Sequence, residues 1–470
     1  YTRLVVGSVR CLYETDIWVG AAILTLAIAL CVAGLAAVLL RLLPKVAAWI
    51  LTALFAVLLV GCSMPATTQL SFFLCVVGGI GLGLAEFRLY WRKTVNIDLS
   101  PLLVGVTYWM FGFGALLTAC IIILFAVRRC VAKLDRKTWW ITSVCAAIIA
   151  IGLPAILCKG YALPYVKALL YPGIAKPELP QMKYERRLAI SDAFYRRDYT
   201  VAKQLAERDE NPDEVTAFYY YLSSAVQDSL PDNLLKYPVK SLGTLTTIGE
   251  TTPPIIINMM NDLYYELGDM TYAERAAMMR NVFSPRNRNV RMIRRLAEIN
   301  LVSGDTAAAM KYLRVLDRTH AYSDWSRCHT PGTMTPEVEA DISNRRTRSN
   351  DKDNIRLGDN CRNIILELLE SNPRNTVALD YLLCTDLLLK DMDTFKMDYD
   401  TYCMEKGEPR YKDLYQQALM IYLAGTDATQ EEWDRYIVPG AQQQAFRAYS
   451  SRRGDPTFNG TYWYYFDRGA

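Results

Sequence analysis

Four carboxylates beside long apolar runs are the residues of this sequence best placed to do chemistry. Glu14 and Asp16 precede the first run, and Glu86 and Asp98 flank the connection between the third and fourth runs. A carboxylate at a membrane edge could activate an acceptor or hold a metal, as in membrane glycosyltransferases. Interfacial charges that only face water produce the same pattern, and the sequence favours that simpler interpretation. A membrane enzyme of envelope glycan or lipid assembly is therefore the alternative hypothesis.

Other catalytic and metal-binding patterns are missing from the sequence. Its two histidines, His320 and His329, lie near Cys328, but this spacing matches no metal site. Two histidines in one polar stretch also disfavour a Ser-His-Asp or Cys-His hydrolase. The glycines between Gly78 and Gly83 lie inside an apolar run with no Lys-Ser or Lys-Thr after them, so they form no phosphate loop. The sequence predicts no cofactor and no metal, and it favours a protein that is not an enzyme.

Long apolar runs dominate the first third of the chain. The first run, Ile17 to Leu40, has no charged residue and would rise about 36 Å as a helix, enough to cross a hydrocarbon core of roughly 30 Å. Five such runs in succession would find too little protein to pack against, so we interpret them as membrane spans. The predicted spans are 17–40, 46–64, 70–90, 101–127 and 139–158, within a transmembrane domain of residues 17–160.

The remainder of the chain has the composition of a domain in water. Lys, Arg, Asp and Glu are frequent from Lys176 onward, so we predict a linker at 161–179 and a soluble helical domain at 180–470. Residues 1–16 are predicted to be a truncated N-terminal or interfacial segment. Because the chain opens at Tyr1 rather than Met, we expect a further membrane helix before it.

Basic residues give conflicting signals about orientation. The stretch from Arg128 to Lys137 is the densest basic connection, and the positive-inside rule places it in the cytoplasm. The soluble domain would then lie in the periplasm. Arg88, Arg92 and Lys93 lie one span earlier, on the opposite face if each run crosses once. Either the third or fourth run is irregular, or one basic connection violates the rule; we favour a periplasmic domain.

A recurring turn predicts that the soluble domain is built of repeated helix pairs. Gly268-Asp269 and Gly304-Asp305 start 36 residues apart, and Arg197-Asp198 lies 71 residues before the first of them. A weaker copy starts at Lys390-Asp391. These spacings are near one and two tetratricopeptide repeats of 34 residues. The predicted fold class is therefore all-α: polytopic transmembrane helices followed by a tetratricopeptide-like domain.

A small residue five positions into each turn should let the second helix of a pair pack closely against the first. The polar stretch from Asp324 to Asp359 is predicted to be an exposed insertion or loop.

Several phrases of the second part resemble a family of uncharacterised bacterial inner-membrane proteins, known as a domain of unknown function. These phrases are Arg294 to Leu301, Lys311 to Leu316, Tyr322 to Trp325, Asn375 to Leu383 and Thr461 to Tyr465. The family is typical of Gram-negative gut-type bacteria. The resemblance implies several membrane helices followed by a tetratricopeptide-like region, over nearly all of this chain. It implies no particular chemistry.

The main functional hypothesis is a membrane-anchored interaction protein of the bacterial inner membrane. Stacked helix pairs form a concave groove that suits a protein or peptide partner. The tyrosines predicted to line it are Tyr219, Tyr220, Tyr221, Tyr264 and Tyr265. The other expected partner is the lipid bilayer. A net charge of +4 without a basic stripe disfavours nucleic acid.

Overall fold

The structure is a computed structural model. It describes residues 17–63, 70–91, 100–131, 136–160, 164–177, 182–246, 253–284, 289–319, 322–349, 361–437 and 440–468. Helices account for every regular element in these ranges, which confirms the all-α prediction. The chain divides into two compact units, Tyr1–Met182 with Thr319–Tyr322, and Lys183–Arg318 with Ser323–Ala470. We call the first the apolar unit and the second the helical domain.

The apolar unit contains seven helices within its described residues. They are α1 (Ile17–Leu42), α2 (Lys45–Ser63), α3 (Leu70–Trp91), α4 (Ser100–Phe111), α5 (Gly114–Val131), α6 (Arg136–Gly160) and the short α7 (Tyr165–Leu169). Three stretches are long and apolar enough to cross a membrane: Ala21–Leu42, Lys45–Ser63 and Trp140–Cys158. Shorter apolar stretches are Leu70–Glu86, Pro101–Phe111 and Gly114–Arg128. This composition supports membrane association.

The run predicted as one span, 101–127, is two helices that meet at Gly112 and Phe113. Gly112 has a φ of 52°, a left-handed conformation that glycine adopts at little cost. A side chain at this position would also overlap the carbonyl group of Tyr171. The chain therefore turns here because glycine permits it, and the sequence analysis missed the turn because both flanks are equally apolar.

Helices α4 and α5 fold back on each other as a hairpin. Val104 and Tyr108 of α4 share a buried apolar cluster with Ala115, Ala119 and Ile122 of α5 and with Ala146 and Ala150 of α6, and Ile149 of α6 packs against this cluster. Gly105 of α4 approaches the same Ile149, with 3.8 Å between a built Cβ and the Ile149 side chain. Residues 104–108 of α4 and 115–122 of α5 thus lie beside each other, on the two sides of the Gly112 turn.

Helix α5 runs parallel to α3, and α3 runs parallel to α1. The rings of Phe72 and Phe113 stack at 5.6 Å, and one turn further along the Thr118 hydroxyl donates to the Gly79 carbonyl at 2.8 Å. On the other side of α3, the Cys31 thiol donates to the Phe73 carbonyl at 3.6 Å. The C-terminal ends of α1, α3 and α5 consequently lie at one end of the bundle.

A segment that we call the end segment, Tyr165–Pro177, lies at the opposite end of the bundle. The Tyr108 hydroxyl donates to the Ala168 carbonyl at 2.7 Å, and the Cys62 thiol donates to the Ala175 carbonyl at 3.7 Å. These contacts tie the last turn of α4 and the last turn of α2 to the chain that leaves α6. The end segment therefore marks the face from which the chain leaves the bundle.

The helical domain continues with seventeen α-helices within its described residues. They are α8 (Met182–Tyr195), α9 (Tyr199–Glu207), α10 (Glu214–Val226), α11 (Leu230–Asn233), α12 (Pro254–Leu267), α13 (Met270–Val282), α14 (Val290–Ser303), α15 (Thr306–Asp317), α16 (Ser323–His329), α17 (Pro336–Arg348), α18 (Cys361–Ser371), α19 (Thr376–Leu389), α20 (Met392–Tyr399), α21 (Asp413–Gly425), α22 (Gln430–Tyr436), α23 (Ala441–Ser451) and α24 (Tyr462–Arg468). A π-helical turn, Asp400–Glu405, extends α20.

The four recurring turns share one backbone geometry. Each begins with a left-handed residue: Arg197 (φ 67°), Gly268 (φ 101°), Gly304 (φ 84°) and Lys390 (φ 57°). In the last three turns, the following aspartate accepts a hydrogen bond of 2.9–3.1 Å from the backbone N–H three residues later, a helix N-cap. The residue five positions after each turn begins is completely buried: Ala202, Ala273, Ala309 and Phe395. The same local structure thus joins four helix pairs.

The stretch predicted as an exposed insertion or loop, Asp324 to Asp359, is largely helical where the structure describes it. Helices α16 and α17 occupy most of it, and the side chains of Ile342 and Arg345 are buried. The loop prediction was wrong because Ile342 and Arg345 anchor α17 in the domain interior, whereas Glu337, Glu339 and Asn344 of the same helix are exposed, as predicted. Residues 350–360 lie outside the described residues.

Candidate functional site

Charged side chains from four parts of the helical domain meet in its interior. We call this group the arginine cluster. Its members come from the turn after α8 and from α12, α14 and α17: Arg197, Asp262, Glu266, Arg291, Arg294, Arg295, Glu298, Asp341 and Arg345. A buried charge is costly unless it is paired, so the geometry of each pair decides what the cluster can do.

Arg295 is the centre of the cluster and is only 3% exposed. Its guanidinium donates to Asp262 at 3.0 Å, to Glu298 at 3.1 Å and to the amide oxygen of Asn261 at 3.1 Å. The same guanidinium lies 3.9 Å from the centre of the Tyr265 ring. Each of its three nitrogens therefore has a partner, and one face rests on an aromatic ring.

Arg345 connects α17 to the cluster. Its guanidinium donates to Glu266 at 2.8 Å and lies 4.6 Å from the centre of the Tyr265 ring, which thus contacts two arginines. The next residue, Arg346, donates to the carbonyls of Leu301 and Val302 at 2.8 and 2.9 Å. These carbonyls end helix α14, where a cation is favourable. Two consecutive arginines thus fix α17 against α12 and α14.

The outer edge of the cluster is made of partly exposed arginines and aromatic rings. Arg291 donates to Asp262 at 2.7 Å and to Ser191 at 3.0 Å, and its guanidinium lies 4.3 Å from the centre of the Tyr195 ring. Arg294 lies between two rings, 5.0 Å from Tyr195 and 4.7 Å from Trp325. Cation–π contacts of this kind hold an arginine without a second acid.

The electrostatics of the cluster keep its acids ionised. Burial by itself would raise the pKa of Glu298, but the positive charges of Arg294 and Arg295 lower it to about 2. Burial also acts to raise the pKa of Glu266, and Arg345 outweighs it so that the net shift is downward. A carboxylate with a lowered pKa is a poor general base at neutral pH. The cluster therefore joins helices together rather than presenting an acid or a base to a substrate.

A second buried group has one acid in excess. Arg362 donates to Asp386 at 2.6 Å and also binds Asp398, so one guanidinium serves two carboxylates that are 2% and 3% exposed. Burial is the main cause of a raised pKa at Asp386, and the neighbouring Asp398 charge adds to it against the opposing effect of Arg362. One oxygen of Asp386 has no hydrogen-bond acceptor or donor among the described residues. The two carboxylates therefore share the single positive charge of Arg362, and a proton on Asp386 removes the repulsion between them.

The five tyrosines predicted to line a groove are all in the core, with exposures between 0% and 3%. This corrects the prediction for Tyr219, Tyr221, Tyr264 and Tyr265, whose rings are enclosed by protein. Tyr220 is also almost completely buried, but its edge lines a shallow open pocket together with Lys236 and Tyr237. The five tyrosines lie on α10 and α12, which are surrounded by other helices. Their helical spacing reflects packing, because both helices are buried on nearly all sides.

Two of these tyrosines nevertheless belong to the arginine cluster. The Tyr219 hydroxyl forms hydrogen bonds with Ser191 at 2.9 Å and with Asp262 at 3.1 Å, and the Tyr265 ring carries two guanidinium groups. The sequence analysis missed the cluster itself. Its signal was the pair Asp262 and Glu266, four residues apart and the only charged residues of α12.

The membrane-edge carboxylates are placed only in part. Glu86 lies in the last two turns of α3 and is half-buried. Glu14, Asp16 and Asp98 lie outside the described residues. Among the residues that the structure describes, no group of three His, Cys, Asp or Glu side chains is arranged to hold a metal ion.

A comparison with curated proteins and a comparison with solved structures each found no match for this chain. A comparison with protein families found one that covers almost the whole sequence, across both the apolar unit and the helical domain. Residues 16–469 match the family described as "Family of unknown function (DUF6057)", and the chain therefore belongs to that family.

Proposed function

We propose that this protein is a scaffold anchored in the bacterial inner membrane, whose helical domain binds a protein or peptide partner. The observation that carries the proposal is the recurring turn, in which a left-handed residue is followed by a helix that packs on its predecessor. Stacks of such helix pairs expose extended surfaces that bind other proteins. A tetratricopeptide-like architecture agrees with the spacing of the turns.

The arginine cluster supports the same conclusion. Its ionised groups are satisfied by one another, and the lowered pKa of Glu298 removes it as a base near neutrality. Such a network fixes the relative positions of α8, α12, α14 and α17. A rigid set of helices is what a binding surface needs, because less freedom is lost when a partner binds.

We further propose that the helical domain lies in the periplasm. Because α4 and α5 form a hairpin, the ends of α1, α3 and α5 are on one face, and the chain leaves from the other. Ten basic residues occur at or beside those ends: Arg41, Lys45, Arg88, Arg92, Lys93, Arg128, Arg129, Lys133, Arg136 and Lys137. Five basic residues precede the first helix or lie at the end of the sixth helix and in the segment after it: Arg3, Arg10, Lys159, Lys167 and Lys176. The positive-inside rule then places the basic face in the cytoplasm.

The hairpin also removes the conflict between the two basic connections. With one crossing for the run 101–127, Arg88 to Lys93 and Arg128 to Lys137 would be on opposite faces. With α4 and α5 running in opposite directions, both connections are on the same face, although α4, with 12 residues, rises only about 18 Å of a core of roughly 30 Å.

Single cysteines test the orientation. In cells expressing the full chain, a membrane-impermeant maleimide should label Asp427→Cys, an exposed site of the helical domain, once the outer membrane is permeabilised. Leu43→Cys, at the exposed turn between α1 and α2, should react only after the inner membrane is opened. Labelling of the unmodified chain is the background to subtract. The reverse pattern would overturn the periplasmic assignment.

Photocrosslinking tests the scaffold. A photoreactive amino acid at Met397 or Tyr411, apolar side chains that are 59% and 57% exposed, should give the same discrete crosslinked product in cells. The same probe at Asp427, an exposed polar site, should not. A folded, membrane-inserted chain that yields no discrete product from either position would contradict partner binding near Met397 and Tyr411.

A further inference from the structure

Helix α13 leaves a row of apolar side chains uncovered near its end. Met278 is 43% exposed, and Val282 and the following Phe283 are each 62% exposed. Arg275, one turn earlier on the same face, is exposed as well. The spacing of three and four residues places these side chains on one side of the helix. The opposite side holds the buried Ala273, Ala276 and Ala277.

Helix α15 presents a similar row with more positive charge. Lys311, Arg314 and Arg318 are exposed at spacings of three and four residues, and Val315 beside them is 47% exposed. Together with Thr306, Ala307 and Met310 they line one shallow, open groove. No ion pair involves Lys311, Arg314 or Arg318 within the described part of the chain.

The two rows belong to neighbouring helices. Tyr312 of α15 packs on a small apolar group that contains Ala277 of α13 and Met292 of α14. Tyr312 is also close enough to Glu274 of α13 for that carboxylate to raise its pKa, after burial as the larger cause. Helices α13 and α15 therefore both pack on α14 and meet at Tyr312, which is next to Lys311 and lies near Glu274, one turn before Met278.

We infer that this surface, formed by Met278, Val282, Phe283, Lys311, Arg314, Val315 and Arg318, binds the headgroup region of an anionic phospholipid bilayer. Apolar side chains next to lysine and arginine are the composition of helices that lie in a membrane interface. The cations attract anionic headgroups, and the apolar side chains enter the boundary between headgroups and acyl chains.

A lipid occupant fits the surface better than an acidic protein does. The exposed row of α13 is mainly apolar and that of α15 is mainly cationic, with Val315 between Arg314 and Arg318, so a binding partner has to offer both negative charge and an apolar layer. Asp317, an exposed acid of α15, is paired with Arg327 at 3.6 Å. Membrane-length helices in the same chain also keep the bilayer at a high effective concentration.

Depth-dependent quenching tests the inference on the full chain in vesicles. An environment-sensitive fluorescent amino acid at Val315 should shift to shorter wavelength and be quenched by brominated phospholipid when the vesicles contain anionic phosphatidylglycerol. Vesicles of zwitterionic phosphatidylcholine alone should give a much smaller effect. The same probe at Met397, which is similarly exposed, is the matched control and should respond to neither composition.

Charge-reversal variants and added salt test whether the fluorescence change at Val315 depends on electrostatic attraction to anionic lipid. Reversal of the three cations, as Lys311→Glu with Arg314→Glu and Arg318→Glu, should weaken partitioning of the surface by about a hundredfold or more and return the probe to its phosphatidylcholine signal. High salt should reduce the signal of the unmodified chain in the same direction, which keeps the test valid if the variant folds poorly.

Equal quenching with and without anionic lipid would overturn the inference. So would a shift at Val315 that occurs only when an acidic protein is added to lipid vesicles. Neither result depends on the crosslinking expected at Met397 and Tyr411, so the scaffold proposal can fail or hold separately.

Discussion

The two units of this protein hold their helices together in different ways. In the apolar unit, helices approach closely through glycine: a Cβ at Gly79 would overlap the backbone of Gly114, and Thr118 donates to the Gly79 carbonyl. In the helical domain, α8, α12, α14 and α17 are joined by charges around Arg295.

We attribute the difference to the solvents proposed for the two units, lipid for the apolar unit and water for the helical domain. Packing apolar helices together in lipid gains no hydrophobic free energy. Close van der Waals contact, which small residues permit, and hydrogen bonds between helices stabilise the association instead. In water, apolar burial supplies most of the stability, and a paired charge network adds a defined arrangement of helices at a small net gain or loss. One chain thus uses small side chains in the first unit and large polar ones in the second.

Removal of Arg295 should have the largest effect on this comparison. Arg295→Ala leaves Asp262 and Glu298 with one counter-charge fewer in a buried site, and we expect a loss of about 3–5 kcal/mol in the free energy of unfolding. Denaturant unfolding of the full chain in detergent measures it. Arg327→Ala is the control, because the side chain is 68% exposed and should change stability by less than about 0.5 kcal/mol. Similar losses for the two variants would show that the cluster does not stabilise the domain.

Enlarging a glycine should affect the apolar unit by a smaller amount. Gly79→Leu forces α3 away from α5, and we expect overpacking to cost about 1–3 kcal/mol. Gly81→Leu is the matched control, since no atom lies within 4 Å of a Cβ at that position. Thermal stability in detergent micelles measures both. A Gly79→Leu chain as stable as the Gly81→Leu chain would mean that close α3–α5 contact is unnecessary.

The smallest expected effect concerns pH and the pair Asp386 and Asp398. The raised pKa of Asp386 means that the folded chain holds a proton that the unfolded chain releases. Its contribution to stability is therefore complete in acid and declines as pH rises from mildly acidic to mildly alkaline values.

Asp386→Asn keeps the shape of the protonated acid without the titration. The variant should lose this part of the pH dependence and be more stable than the parent at pH 8 by about 1 kcal/mol. Asp393→Asn, at an exposed site, is the control and should leave the profile unchanged. The free energy of unfolding of the parent and of both variants is measured at several pH values. A parent whose stability rises with pH over this range would contradict the raised pKa of Asp386.

Patterns that repeat locally were readable from the sequence. The all-α class followed from apolar runs and three-and-four spacing, and the recurring turn was visible because Asp follows a residue that can adopt a left-handed conformation. Ala202, Ala273 and Ala309 were expected to be small for close packing, and all three are completely buried. Each of these features depends on neighbours within a few residues.

Features that depend on distant partners were not readable. Tyr219 and Tyr265 were predicted to line a groove, because the sequence around a tyrosine does not show whether its ring contacts solvent or a distant arginine. The charges of α17 suggested a solvent-exposed stretch, whereas Arg345 has its partner, Glu266, 79 residues away in sequence.

The amino-acid sequence by itself determined that the chain is helical, which segments are apolar enough for lipid, and where helix pairs turn, since these depend on local periodicity and backbone preference. Only the tertiary structure decided that the run 101–127 turns back at Gly112 and that buried arginines join α12, α14 and α17. Both outcomes depend on contacts between residues far apart in the chain. Such contacts are chosen by the burial and pairing of whole helices, and no short stretch of sequence contains that information.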